Sequence, residues 1–242
     1  MFNGYFLLIL SFIAFLYSSV GHGGASGYLA LFALFDLDTS MMKSSALLLN
    51  LFVSSISFVQ YFRKGFFNLK LFLCFAITSI PLAFFGGTIQ LNPIIYKRIL
   101  GVCLIFAVLR ILGIFGKPSK NLKPFSPPLA LIIGGSIGFF SGLIGIGGGI
   151  ILSPIILIMQ WENVKTTAGI SALFIFVNSL AGWLGNSLNG NPIYPQIYLF
   201  VIFALVGGFL GSYYGAVKFD NQVIKVILAL VLLSASFKLF LA

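Results

Sequence analysis

The sequence predicts an all-α polytopic membrane protein made of two inverted repeats, each one glycine-broken re-entrant hairpin plus three transmembrane helices. Three observations predict it. Hydrophobic residues make up 60% of the 242 and charged residues only 7%, with a mean hydropathy of +1.11, whereas soluble domains run near 45–50% apolar and about 25% charged. So few charges cannot cover a water-soluble globule, and disorder needs the opposite composition. The apolar residues form unbroken runs of about 20 instead of the roughly 10-residue alternating strands of a barrel. The same order of features then occurs twice along the chain.

The elements follow in order. Residues 5–35 form a 31-residue apolar run (35 − 5 + 1) broken by Gly21-His22-Gly23-Gly24-Ala25-Ser26-Gly27. Runs at 44–62, 71–91 and about 94–116 come next, the last bearing Lys97, Arg98 and Arg110. A polar stretch with two prolines, residues 117–124, reads as a linker. The pattern restarts with 128–160, broken by Gly145-Ile146-Gly147-Gly148-Gly149, and ends with 166–188, 197–217 and 223–242. The expected organisation is a first membrane repeat at 1–116, a cytoplasmic linker at 117–127 and a second repeat at 128–242. Residues 1–17 contain no Lys or Arg, unlike the positive start of a signal peptide, so they are read as part of the fold. Cys74 and Cys103 fall inside apolar runs and are read as buried thiols rather than a disulfide or metal pair.

Residue matches relate the halves. Gly21-His-Gly-Gly-Ala pairs with Gly145-Ile-Gly-Gly-Gly, and Lys43-Ser-Ser-Ala with Lys165-Thr-Thr-Ala. Ser79, Ala83 and Gly87 pair with Gly207, Gly211 and Gly215; Lys97 pairs with Lys225, and Arg110 with Lys238. Two topologies fit the lengths. Eight simple spans in two parallel repeats divide the 14 cations 8 to 6. Folding both long segments back on themselves puts Arg63, Lys64, Lys70, Arg110, Lys117, Lys120, Lys123, Lys165, Lys218 and Lys225 on one side and leaves Lys43, Lys97, Arg98 and Lys238 on the other, 10 to 4. Cations gather on the cytoplasmic side, so the second topology is preferred: three full spans and one hairpin per repeat, inverted repeats, both termini outside and the linker inside. The net charge of +10 is thus an orientation signal in a cell (inner) membrane, not a nucleic-acid footprint.

Irregular backbone within a bilayer is tolerated only where protein buries it or a cavity wets it, and matched breaks in two repeats point to a transporter site. Glycine lets successive N–H groups converge into a nest for an anion. Each break is followed by a helix whose positive dipole end and free N–H groups face it. The candidate substrate-binding residues are Gly21, His22, Gly23, Gly24 and Ser26 in the first break and Ser141, Gly145, Gly147, Gly148 and Gly149 in the second. Asn50 and Asn178, single amides in apolar helices, join them; contact with substrate and a bond to a neighbouring helix are both open to each. His22 is the only histidine, suited to anion contact, proton transfer or bonding of the exposed backbone. Ser18 and Ser19 flank the first break. Gly134-Gly138-Gly142 and Gly207-Gly211-Gly215 are small-residue ladders and are assigned to helix packing. Arg110 and Lys238 near helix ends are read as snorkelling to the interface.

The segment from Ser141 through Gly145-Ile-Gly-Gly-Gly to Pro154, its echo from Ser18 to Gly27, and the two four-segment halves resemble the sulfite exporter TauE/SafE family over nearly the whole chain. The first-half motif departs from the glycine run at Ala25 and Ser26. The resemblance implies export of sulfite, a sulfonate or a related sulfur oxyanion, with no enzymatic activity and no cofactor. A second, weaker resemblance is Gly24-Ala25-Ser26-Gly27 to the G-x-S-G of rhomboid proteases, which would make Ser26 a nucleophile. Its base would have to be His22, four residues upstream in the same break. Asp36, Asp38, Glu162 and Asp220 all fall at segment ends, so no carboxylate relay crosses the membrane, and no phosphate-binding nucleotide loop occurs. The membrane potential is then the simplest engine: one negative charge moving outward gains about 2.3 kcal/mol per 100 mV.

Overall fold

The computed structural model describes residues 4–19, 23–113, 122–190, 194–215 and 222–241. Among them are ten helices and no strand: α1 (Gly4–Ser18), α2 (Ala25–Leu34), α3 (Thr39–Arg63), α4 (Leu69–Thr88), α5 (Pro93–Ile111), α6 (Pro127–Ile144), α7 (Gly149–Ile158), α8 (Val164–Ser187), α9 (Gln196–Gly215) and α10 (Gln222–Leu241). Local chemistry sets several starts. The Asn68 side chain accepts from Leu71 N at the head of α4, and Asn163 Oδ1 accepts from Lys165 N and Thr166 N at the head of α8. Two prolines open α6, where their missing N–H groups cost nothing.

Each long apolar segment is a helical hairpin. Phe6 near the start of α1 meets Phe32 and Phe35 at the end of α2, with ring centroids 6.1 and 5.0 Å apart. Nearer the turn, the Ser26 hydroxyl donates to Tyr17 Oη at 3.0 Å. The second segment folds the same way: Lys123 N donates to Gln160 O at 2.8 Å, and Phe125 lies 6.4 Å from Trp161. A simple span would hold such pairs a bilayer apart, so the eight-span alternative is set aside. At 1.5 Å per residue the ten residues of α2 and of α7 reach about 15 Å, half of a ~30 Å hydrocarbon core. Among the described residues five helices (α3, α4, α6, α8 and α9) are long and apolar enough to cross, although α6 is followed by the returning α7.

Contacts at the helix ends place the hairpins at opposite poles. The open end of α1–α2 shares its pole with the end of α10, where Lys238 Nζ donates to Leu34 O at 3.0 Å and pairs with Asp36. The same pole holds the ends of α4 and α8, where Asn189 Nδ2 donates to Thr88 O. The open end of α6–α7 lies at the other pole, where Asn68 Nδ2 donates to Glu162 Oε1 and Lys165 sits over the Phe66 ring.

The halves interlock rather than sit side by side. Helix α4 packs on α6 and α8, and α9 packs correspondingly on α1 and α3; α3 crosses α8, and α5 pairs with α10. The assignment of the glycine ladders to packing holds. A Cβ on Gly134, Gly138 or Gly142 would strike the backbone carbonyls of Phe75, Ser79 or Ala83 in α4, and one on Gly207 or Gly211 would strike Ser11 O or Phe15 O in α1. Polarity runs inside out: Ile77, Ile132, Tyr198 and Phe237 are about two-thirds exposed, while Asn50, Ser54, Ser57, Asn178 and Ser179 are fully buried. That distribution suits lipid outside and a hydrogen-bonded interior. Cys74 and Cys103 are free thiols, half-buried rather than buried as the sequence suggested, because each lies at the margin of a core cluster.

Two predictions follow from this packing. Gly142→Ala forces α4 and α6 apart and lowers stability by about 1–3 kcal/mol, read as an earlier thermal transition in detergent, whereas Gly4→Ala, with nothing within 4 Å, leaves the transition in place. Phe6→Cys combined with Phe35→Cys gives an oxidative intramolecular cross-link; two faces of a membrane between them would forbid it.

Candidate functional site

Both helix breaks end against the middle of α3 and α8. In the second break Gly145, Gly147 and Gly148 take φ values of 92°, 71° and 78°, which only glycine adopts cheaply and repeatedly. They turn the chain from α6 into α7 within four residues. In the first break Gly24 does the same at φ 94°, directly ahead of α2. Gly21 and His22 lie outside the described residues.

The glycines also let the two turns reach one spot. A Cβ on Gly23 would sit 2.6 Å from Asn50 Oδ1 and 2.9 Å from Ile175 Cγ2. A Cβ on Gly147 would sit 2.5 Å from Asn50 Nδ2, 2.8 Å from the same Ile175 methyl and 3.1 Å from Ser179 Oγ. Gly149, the first residue of α7, presses on the rest of the Ile175 side chain. Asn50 and Ile175 therefore stand between the turns of two hairpins that arrive from opposite poles. Among the described residues no charged side chain enters this cluster, and no group of His, Cys, Asp and Glu could hold a metal.

The polar groups here are incompletely satisfied. Asn50 Nδ2 donates to Ser179 Oγ at 3.2 Å, but Asn50 Oδ1 is buried without a partner. Ser141 Oγ, beside Gly148, is likewise unpartnered. At the head of α7, Ile151 N and Leu152 N donate to Gly148 O; the N–H groups of Gly149 and Ile150 ahead of them have no carbonyl one turn back, as at any helix start, and the dipole end they form faces the turn. An unmet buried polar atom costs about 1–3 kcal/mol, and two of them, Asn50 Oδ1 and Ser141 Oγ, lie beside the second turn. The fit is close: Gly23, Gly24 and residues 145–149 are all buried, with Ile175 between the turns.

Other candidates fall elsewhere. Ser26 braces its own hairpin through Tyr17, which also leaves it bonded to a phenol rather than to a general base. Asn178 donates to Phe174 O on its own helix at 2.8 Å, with Oδ1 unpartnered. Ser18 Oγ meets Ser57 Oγ at 2.6 Å, and Ser19 Oγ donates to Leu16 O. Lys238 is bound to Asp36 and Leu34 O at a pole, far from the turns in the fold. The side chain of Arg110 lies outside the described residues.

Sequence reading missed Ile175, Ser179, Ser57 and Tyr17. One signal was available. The offset that aligns Lys43-Ser-Ser-Ala with Lys165-Thr-Thr-Ala (165 − 43 = 122) carries Ser57 onto Ser179 (57 + 122 = 179). These two serines serve the first and second breaks respectively, one bonding Ser18 and the other Asn50.

Comparison with known proteins agrees with this architecture. No solved structure matches the chain. A probable membrane transporter protein, y4hK, of Sinorhizobium fredii is 33% identical over 231 residues, covering 94% of each chain. The probable membrane transporter protein MJ0441 of Methanocaldococcus jannaschii is 29% identical over 164 residues, 63% of this chain and 59% of its own. One from Xylella fastidiosa is 32% identical over 83 residues, covering 34% of this chain and 32% of its own. The family model described as sulfite exporter TauE/SafE matches residues 6–239, and with a match of that extent this chain, a membrane transporter and not an enzyme, belongs to the TauE/SafE family.

Proposed function

We propose that the chain exports a small sulfur-containing anion, sulfite, a sulfonate or a related oxyanion, through a site midway across the membrane between its two glycine-rich helix breaks. The observation that carries this reading is the meeting of both breaks at Asn50 and Ile175, from opposite poles, beside polar atoms without partners. The anion takes its hydrogen bonds from the N–H groups of Gly23, Gly24, Gly147, Gly148 and Gly149, with the Ser141 hydroxyl and the Asn50 amide beside them, and Gly145 shapes the turn. Gly21 and His22 complete the first turn by their place in the sequence, and Asn178 is a more peripheral candidate. Amide donors suit an exporter because they hold an oxyanion without a cation to trap it.

In this reading residues 1–116 and 128–242 are inverted repeats of one unit. The linker at 117–127 is cytoplasmic, both termini are outside, and the cation excess near the linker sets this orientation in the cell membrane. Ile175 plugs the site between turns and must rotate or shift for substrate to occupy it. Transport runs down the membrane potential, at about 2.3 kcal/mol per charge per 100 mV.

Proteoliposomes tested with sulfite carry the decisive measurement. The native chain passes sulfite faster when the potential favours anion movement. Gly147→Ala, which drives a methyl into Asn50 and Ile175, lowers flux at least tenfold, whereas Gly190→Ala, at a similar φ of 70° but in open space, retains most of it. Ile175→Phe blocks and Ile175→Ala does not. Native flux with the Gly147→Ala and Ile175→Phe variants indistinguishable from it would refute the site. Epitope tags at residues 1 and 121 report opposite faces of the membrane; a shared face contradicts the orientation.

A further inference from the structure

A lysine and an acid-free cavity stand on the far side of the second break, and neither belongs to the site above. Lys43, one turn into α3, is 6% exposed. Its Nζ donates to Gly87 O at 3.0 Å and Ile89 O at 3.2 Å, at the carboxyl end of α4. An ammonium has three donors, so one remains. The same lysine lines a cavity of about 140 Å³ together with Thr39, Ser40, Tyr96, Leu143 and Asn186. By the same measure a single water needs about 10–15 Å³, so a small oxyanion fits in this space. Among the described residues Lys43 is the only charged one in its lining.

The cavity's position matters as much as its charge. Leu143 forms part of its lining, Tyr96 Oη donates to Ile144 O at 2.8 Å, and a Cβ on Gly145 would sit 3.3 Å from Lys43 O. The cavity therefore rests on the turn of the α6–α7 hairpin, on the side that faces the pole of Asp36 and Lys238. The larger cavity next to it, about 320 Å³, shares Thr39 and Ser40 but contains Asp36 and Asp38 beside Lys97 and Lys238. Its Lys238 is paired with Asp36, and Lys43 among the described residues has no carboxylate partner. The matching cation of the second half, Lys165, is exposed and lies over the Phe66 ring, 5.0 Å from its centroid. Only the first-half lysine is turned into the protein.

We propose that the Lys43 cavity is a second anion-binding site, on the outer side of the hairpin turn, that takes a small oxyanion through the Lys43 ammonium with the Thr39 and Ser40 hydroxyls at its mouth. Two carbonyls hold the ammonium in place, and the charge they leave unneutralised draws an anion past the turn. Its role as the exit station of a transport route rests on the proposed function; its binding of an anion does not.

The test uses the full chain in proteoliposomes, with Cys74→Ala and Cys103→Ala to remove the native thiols and Gln90→Cys as a reporter, since Gln90 lines this cavity and not its neighbour. Labelling from outside by the anionic sulfonatoethyl methanethiosulfonate is expected to outpace labelling by its cationic trimethylammonium counterpart severalfold. Added sulfate, which unlike sulfite does not react with thiosulfonate reagents, slows it. Lys43→Gln abolishes both the preference and the protection, Lys43→Arg keeps both, and Lys97→Gln leaves both unchanged. A preference or protection that survives Lys43→Gln, or the absence of protection in the Lys43 parent, overturns the proposal. If instead protection holds while sulfite flux proves insensitive to Gly147→Ala and Ile175→Phe, the cavity stands and the site between the turns falls.

Discussion

A backbone that unwinds within lipid must be enclosed by protein, and the rest of this structure follows from that constraint. The turn after α6, and the described part of the turn ahead of α2, carry N–H and C=O groups that a hydrocarbon environment cannot satisfy. Each hairpin is therefore walled by the opposite half: α6 by α4, and α1 by α9. The interlocking of the halves encloses the returning helix α2 and the turn residues 145–149, while α1 and α6 still present apolar side chains such as Leu8 and Ile132 outward. A side-by-side arrangement of the halves would leave one flank of each hairpin bare.

Glycine serves two separate ends in this scheme. In the ladders of α6 and α9 it lets carbonyls of the neighbouring helix approach where a methyl has no room, and the energy comes from close packing between backbones. In the turns it supplies positive φ at Gly24, Gly145, Gly147 and Gly148 and brings main chain up to Asn50 and Ile175. The sequence distinguishes the two uses by spacing. Ladder glycines recur every fourth residue and turn glycines are consecutive or nearly so.

The spacing and charge pattern made much of the fold legible. Length set the helices, the 10-to-4 division of cations favoured folding both long segments back, and the observed pairings of Phe6 with Phe35 and of Lys123 with Gln160 agree. The place of the turns was legible as well, because consecutive glycines leave few other readings. Their company was not. Ile175 is one apolar residue among many in α8, and nothing in its neighbours along the chain marks it as the one that meets both turns; only the crossing of α3 and α8 does so. Asn178 looked as eligible as Asn50, yet it is Asn50 on α3 that meets Gly23 and Gly147, while Asn178 on α8 donates to Phe174 O of its own helix. Ser26 looked like a ligand because it follows Gly24, but the fold-back of α2 presents it to Tyr17.

The same packing indicates which parts give way when a guest arrives. Separating a hairpin from its wall means undoing a run of backbone contacts, at Phe75, Ser79 and Ala83 on one side and at Ser11 and Phe15 on the other. Such contacts form and break as a set, since each glycine fixes the approach of the next. Between the turns the obstacles are smaller: one isoleucine rotamer and one 3.2 Å bond from Asn50 to Ser179. An interhelical bond of this kind is worth about 0.6–2 kcal/mol within a membrane, and the Asn50 carbonyl beside it already lacks a partner. In the proposed site, space for an anion would therefore open most cheaply by motion of α3 against α8 with the hairpins held in their walls. The glycine ladders act as the fixed frame and the α3–α8 crossing as the adjustable joint.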